Sequence, residues 1–325
     1  MTKRILSGMR PTGKLHIGHH VGALENWVNL QKEYNNFHLI ADYHVLTTNT
    51  DTSDIYKNTI EMVKDWVAAG IDPAKSTIFR QSQIKEHAEL HLLFSMLITT
   101  ARLERNPSLK EQVRDLKLDN ISYGHFGYPV LQAADILLYK GELVPVGEDQ
   151  TSHVEITREI ARKFNKTYGK IFIEPKAKLT KFSRLPGLDG KTKMSKSLGN
   201  TISPSDSPEE IWQSVRKAIT DTEKIRKNDP GHPEVCTIFT YHNVFNKNSV
   251  KQIERDCKSG ILGCIDCKKI CAKKISDHFA EYRNKRSEFD KKPDLIKDIL
   301  NDGEKRAKQV AQETMKEVRE VMKIG

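Results

Sequence analysis

The chain has 325 residues, of which 30% are charged and 37% hydrophobic, and a net charge of +10. That length allows two domains, and no apolar run approaches the ~18 residues of a membrane span. The first residues show no apolar leader or cleavage site, so export is not expected and a cytoplasmic location is. The positive charge suits a polyanionic partner.

Arg4 to Gly8 is a short apolar run and reads as a strand. A Gly/Pro-rich loop, Pro11 to His20, follows and opens an amphipathic helix from Gly18 to about Tyr34, with Val21, Leu24 and Val28 at helical spacing. A loop that opens a helix aims backbone N–H groups and the positive dipole end at an anion, most often phosphate. His16 and His19 bracket Gly18, where a flat group can lie against the backbone. Phe37 to Ala41 is a second strand, Ser53 to Ala69 a helix stopped by Gly70, and Ser76 to Arg80 a third strand. This alternation predicts an α/β fold, a Rossmann-like doubly wound parallel sheet with ligands at the carboxyl ends of its strands.

Glu86 to Leu103 reads as one long apolar helix that could also meet another subunit. Lys110 to Asp119 reads as charged surface, and Asp135 interrupts an apolar stretch from Pro129 to Tyr139. Val144 to Gly147 is a strand and Ser152 to Asn165 a helix. Thr180 to Asn200 is a Gly/Lys/Ser loop. Beyond it Ser207, Pro208 and Glu210 form a helix start with a capping box. The expected boundary lies near residue 200: a catalytic domain over 1–200, with a helical insertion at about 85–140, and an all-helical C-terminal domain over 201–325.

Lys193, Met194, Ser195, Lys196 and Ser197 stand together in the Gly/Lys/Ser loop. Two lysines three apart beside two hydroxyls can follow phosphoryl oxygens as mobile point charges. Gly187 to Thr192 looks like a P-loop, but it has two residues between its glycines and no strand leads into it, so that reading is rejected. All five cysteines fall between Cys236 and Cys271, with intervals of 20, 6 and 2 residues along Cys236, Cys257, Cys264 and Cys267. Four clustered thiols can hold zinc or an iron–sulfur cluster, and spacing does not choose between them.

His16-Ile-Gly-His19 followed by Lys193-Met-Ser-Lys-Ser197 resembles the paired motifs of class I aminoacyl-tRNA synthetases. Ser7 to Gly13, Tyr128 to Tyr139, Val146 to Gln150, His153 with Thr157 and Arg158, and Gly303 to Met315 resemble the bacterial tryptophanyl-tRNA synthetase family. The resemblance implies activation of L-tryptophan with Mg-ATP, giving tryptophanyl-adenylate and pyrophosphate, then transfer to tRNA(Trp). It implies His16, His19, Lys193 and Lys196 as catalytic. Its ATP-binding set is Arg10, Pro11, Thr12, Gly18, His19, Gly147, Glu148, Asp149, Lys193, Met194, Ser195 and Lys196. Its tryptophan-binding set is Leu6, Gly8, Tyr128, Gln132, Asp135 and Gln150. Asp135 would accept the indole N–H, Tyr128 and Gln150 would hold the ammonium, and Gln132 stands where many bacterial relatives carry Met. Asp42 and His44 read as strand-end polar residues.

A subset of that family, from thermophilic and anaerobic bacteria, holds a [4Fe–4S] cluster on a similar cysteine pattern. The resemblance therefore implies Cys236, Cys257, Cys264 and Cys267 as its ligands, with Cys271 free and zinc as the alternative. The first interval here is shorter than that subset's. Lys258, Lys268, Lys269, Lys273 and Lys274 surround the cysteines and would face a tRNA anticodon loop. A homodimer and no membrane association are also implied. Three other readings exist. A tyrosine-tRNA ligase typically carries Tyr at the position of Leu6 and Asp at that of Arg10. A nucleotidylyltransferase usually lacks the lysine loop and a helical domain. A non-catalytic RNA-binding paralogue would have no need of His16, His19 and both lysines.

Overall fold

The computed structural model describes residues 2–115, 120–147, 151–179, 185–192, 194–195 and 198–325. The chain forms two compact units: residues 1–13, 25–181 and 292–325 make the first, and 14–24 with 182–291 the second. The division therefore differs from a single cut near residue 200. The last helix belongs with the sheet, and the histidine loop belongs with the segment that follows the sheet.

The first unit is built on a parallel sheet of β1 (Arg4–Met9), β2 (Asn35–Ile40), β3 (Ser76–Arg80), β4 (Leu143–Val146) and β5 (Lys176–Leu179), in the order β3-β2-β1-β4-β5. β1 lies in register with β2 from Arg4↔Asn35 to Met9↔Ile40, and meets β4 at Ile5↔Leu143. The strand order reverses between β1 and β4, where doubly wound sheets bind ligands. Ile5, Leu6, Phe37, Leu39, Ile40, Ile78 and Phe79 are buried, as expected of strands covered on both faces. β5 was not foreseen. It reads Lys-Ala-Lys-Leu and is mostly exposed, the charged character of an edge strand that resists further pairing.

In chain order the helices of the first turns are α1 (Ile17–His19), a π-helical turn at His20–Leu24, and α2 (Glu25–Leu30). Next come α3 (Tyr43–Leu46) and α4 (Ile55–Ala68), whose Met62, Val63 and Trp66 are buried. The expected long helix after β3 is broken into α5 (Glu86–Ser95) and α6 (Thr100–Glu104), because Thr99 caps the second by accepting from Arg102 N at 3.3 Å. α7 (Pro107–Asp115) and α8 (Tyr123–Leu138) complete the stretch before β4, and α9 (Thr151–Thr167) follows it.

The second unit holds α10 (Pro208–Lys217), α11 (Thr237–Phe245), α12 (Val250–Lys258), α13 (Cys264–His278) and α14 (Ala280–Asp290). Ser207 and Glu210 form the expected capping box at α10, with Pro208 at its first position. The cysteine stretch is itself mostly helical. The final helix, α15 (Pro293–Met322), lies on the sheet. Gly303, Ala307 and Ala311 are buried along one face, and a Cβ on Gly303 would fall 1.8 Å from the carbonyl oxygen of Ile78. Only glycine admits that approach. Arg319 and Lys140 secure the helix through Glu89 at 2.8 Å and Glu317 at 2.7 Å. Among the described residues, no helix is long and apolar enough to cross a membrane.

Candidate active site

The second unit brings the histidine loop and the described part of the lysine loop together. His16 and His19 cap α1 reciprocally: His19 N–H donates to His16 Nδ1 at 3.3 Å, and His16 N–H to His19 Nδ1 at 3.4 Å. Their rings stack at 3.7 Å and 23°. A neutral imidazole that accepts at Nδ1 carries its proton on Nε2, so both rings present Nε2–H. Between them Gly18 must lack a side chain, since a Cβ would lie 2.9 Å from His16 Nδ1 and 3.4 Å from Met194 Sδ. Ile17 N–H donates to Ile202 O at 2.8 Å, tying the loop to the chain beyond the lysine motif.

Met194 is buried, and Asn200 accepts from Ser195 N–H at 2.7 Å. Asn200 also donates to Asp189 at 3.0 Å, and Asp189 takes the backbone N–H groups of Lys191 and Thr192. The P-loop look-alike is thus a scaffold for the lysine loop. Lys193, Lys196, Glu148, Asp149 and Gln150 lie outside the described residues.

In the first unit the carboxyl ends of the strands lead to the remaining candidates. β1 supplies buried Leu6, then Gly8; exposed Arg10 comes just after the strand and donates to Thr48 Oγ1 at 3.4 Å, with Pro11 and Thr12 next in the chain. Gly147 follows β4. α8 carries Tyr128, half-buried Gln132 and Asp135 on successive turns. Tyr128 Oη takes a hydrogen bond from Gln112 Nε2 at 3.0 Å and lies 2.9 Å from His153 Nε2.

Asp135 is 2% exposed. Its Oδ1 accepts from Gln81 Nε2 at 2.7 Å and His87 Nδ1 at 2.7 Å, and its Oδ2 from His44 Nε2 at 2.9 Å. Burial pushes the carboxyl up, and the bonds and charges of His44 and His87 more than reverse that, leaving it below the ordinary range. The site thus holds a buried, ionised acceptor. Sequence reasoning took His44 as a strand-end polar residue and did not name Gln81 or His87. His44 and Gln81 follow the ends of β2 and β3, and that position at the ligand edge of a parallel sheet was the available signal. Nothing in the pattern pointed to His87.

Cys236, at the start of α11, with Cys257, Cys264 and Cys267, are all half-buried, and Cys271 is buried. Burial and then the charges of Cys236, Cys257 and Cys264 push the Cys267 thiol up to about 12. Gly231 leaves room for Cys257, because a Cβ there would be 2.5 Å from its Sγ. His242 Nε2 lies 3.4 Å from Cys267 Sγ, and Asn246 Nδ2 lies 3.1 Å from the other ring nitrogen. Among the described residues no three cysteine sulfurs lie within 4.8 Å of one another. Of the neighbouring lysines, Lys268 is buried and donates to Arg216 O at 3.0 Å, so it joins α13 to α10 rather than facing a nucleic acid. Lys258, Lys269, Lys273 and Lys274 are exposed.

Residues 2–280 match the family model described as tRNA synthetases class I (W and Y). The chain is 49% identical to the tryptophan–tRNA ligase of Thermotoga maritima and 43% identical to that of Aquifex aeolicus. The first match covers 99% of both chains, and the second 99% of this chain and 100% of the relative. Its fold is similar to the crystal structure of tryptophanyl-tRNA synthetase from Campylobacter jejuni complexed with ADP and tryptophan, with a TM-score of 0.88 and 36% identity. That likeness covers 98% of this chain and 99% of the other.

Proposed function

The chain belongs to the class I tRNA synthetases of the tryptophan and tyrosine type, its reaction is the ligation of L-tryptophan to tRNA, and we propose the following roles for its residues. The tryptophan carboxylate attacks the α-phosphate of Mg-ATP, forming the aminoacyl-adenylate and releasing pyrophosphate. The terminal adenosine of tRNA(Trp) then takes the aminoacyl group. His16 and His19 donate from Nε2 to phosphoryl oxygens as charge develops, and Lys193 and Lys196 follow the departing pyrophosphate. No covalent enzyme intermediate is required, so the protein's contribution is positioning and electrostatics. Arg10, Pro11, Thr12, Gly18, Gly147, Glu148, Asp149, Met194 and Ser195 line the nucleotide.

Asp135 carries the choice of amino acid. Indole N–H only donates, and a buried ionised acceptor supports its recognition while penalising side chains that leave the acceptor unpaired. Leu6, Gly8 and Gln132 pack about the ring, and Tyr128 and Gln150 hold the ammonium. The test is amino-acid-dependent ATP–pyrophosphate exchange: tryptophan should support it, and support by tyrosine without tryptophan would overturn the assignment.

A [4Fe–4S] cluster on Cys236, Cys257, Cys264 and Cys267 is part of the proposal. The clustering of these four thiols, at intervals of 20, 6 and 2 residues, supports a shared site, and zinc is the alternative occupant. The cluster would cross-link the helical segment that meets tRNA(Trp). Anaerobically purified protein should contain iron and acid-labile sulfide in equal amounts, and zinc alone would sink this part. A homodimer, supported by the exposed Leu92 and Met96 of the α5 region, and a cytoplasmic location complete the reading.

A further inference from the structure

We infer that His87, held by Tyr139, is a positioning residue that, with Gln81, commits Oδ1 of Asp135 to the protein and leaves Oδ2 as the atom that discriminates an indole N–H. The inference rests on the reading of Asp135 as the indole acceptor and extends it to residues that never touch the substrate.

The argument starts from hydrogen-bond capacity. An ionised carboxylate only accepts. Oδ1 receives two donors, Gln81 Nε2–H and His87 Nδ1–H, which fill its two lone-pair directions. Oδ2 receives one, His44 Nε2–H, and keeps one direction for a ligand. Each donor to Oδ1 is fixed in identity. Gln81 Oε1 accepts from Tyr43 N–H at 3.1 Å, so its NH₂ group must face Asp135. His87 Nε2 lies 2.8 Å from Tyr139 Oη. Burial pushes the Tyr139 phenol well above its ordinary value, so Tyr139 keeps its proton and stays hydrogen-bonded to the ring. His87 Nδ1–H is thereby held in line with Oδ1 of Asp135. Tyr139 is fully buried, stacked on Phe37 at 5.0 Å and packed on Phe79 at 4.9 Å, so the ring behind His87 has nowhere to turn.

The consequence is for selectivity. Without His87, the burial that pushes Asp135 up is opposed by fewer donors. The carboxyl then gains a proton more readily and can meet a ligand with no N–H donor. Groups facing this cluster are His44 from α3, Gln81 after β3, Glu86, His87 and His91 from α5, and Tyr128 and Tyr139 from α8.

The experiment compares kcat/KM in ATP–pyrophosphate exchange for L-tryptophan and for its isostere with ring N–H replaced by sulfur, 3-benzothienyl-L-alanine, from pH 5.5 to 8.5 (~3 units, spanning the histidine range). His87→Leu should lower the tryptophan preference ~10-fold or more and give it an acid limb absent from the wild type. His87→Asn, whose amide can replace Nδ1–H, should keep the preference within ~3-fold, and KM for ATP should not move in either. A preference unchanged in His87→Leu at every pH overturns the inference. Should His87→Leu fail to fold, Tyr139→Phe decides: a preference lowered ~3-fold or more supports it, and an unchanged one overturns it. Asp135→Ala, which removes the acceptor, separates the two levels. If it leaves the preference intact, the acceptor reading has failed; if it abolishes the preference while His87→Leu does not, only the positioning role has failed.

Discussion

Asn and Gln can separate the two jobs assigned to each histidine of the signature loop. The side-chain oxygen of Asn reaches the place of Nδ1, and the amide nitrogen of Gln the place of Nε2. In the structure Nδ1 of His16 and His19 caps the opposite residue's backbone N–H at 3.3 and 3.4 Å, a bond of the kind that contributes ~0.5–2 kcal/mol to a helix start. The Nε2–H groups would meet developing phosphoryl charge, where loss of one donor costs ~2.7–4 kcal/mol, or ~10²–10³ in rate. His19→Asn should therefore keep its melting temperature apart from the lost ring stack (~0.5–1.5 kcal/mol). It should lose ~10²–10³ in kcat for tryptophan-dependent pyrophosphate exchange. His19→Gln should invert the pattern, with a smaller loss of rate and a larger loss of stability. The same pair at His16 should behave alike, because the capping is reciprocal. Full exchange activity in either Asn variant would show that the rings only hold the loop.

His38 supplies an acid sensitivity. It is fully buried in β2, stacked on Trp27 at 4.8 Å, and burial pushes it down to about 3. Its folded value lies below the unfolded one, so its contribution to stability is complete above pH ~6.5 and is lost as pH falls toward about 3, by ~2 kcal/mol at pH 5. Urea titrations of His38→Leu should show a correspondingly flatter dependence on pH, and an unaltered slope would contradict the assignment. Gly303→Ala should destabilise the chain by ~1–3 kcal/mol through its approach to Ile78 O. In an unhindered helix the same change would stabilise by ~1 kcal/mol, so the sign of the shift in the urea midpoint decides. Gly231→Ala should lower the iron content of anaerobically purified protein by displacing Cys257 Sγ, and full iron content would argue against Cys257 as a ligand.

The sheet was legible where it is buried. β1, β2, β3 and β4 carry runs of apolar residues bounded by turn residues, and each appeared within a residue or two of its expected place. β5 was not, because a four-residue, mostly exposed edge strand with two lysines is too short and too polar to stand out. The break between α5 and α6 was hidden for the opposite reason. Apolar spacing continues across it, while a single Thr99 cap ends the periodicity of the backbone. The compact units are not cut at residue 200, because packing follows Gly303 and its small neighbours back to β3.

The site was legible as residue types and illegible as pairings. His16 and His19 announce themselves by spacing, because their reciprocal cap is local to one turn. Asp135 announces itself as a carboxylate in an apolar run, and the same burial that makes it conspicuous demands donors. Sequence names no donor, because His44, Gln81 and His87 stand 91, 54 and 48 residues away. Chemistry nonetheless limits where to look. A parallel sheet gathers the ends of its strands, so polar residues just past β2 and β3 are candidates for any buried charge that follows. By that argument His44 and Gln81 were recoverable from the chain. His87 is the second residue of a helix that begins after the strand end, and its partner Tyr139 closes α8. Only the packing of α5 against α8 brings those two together.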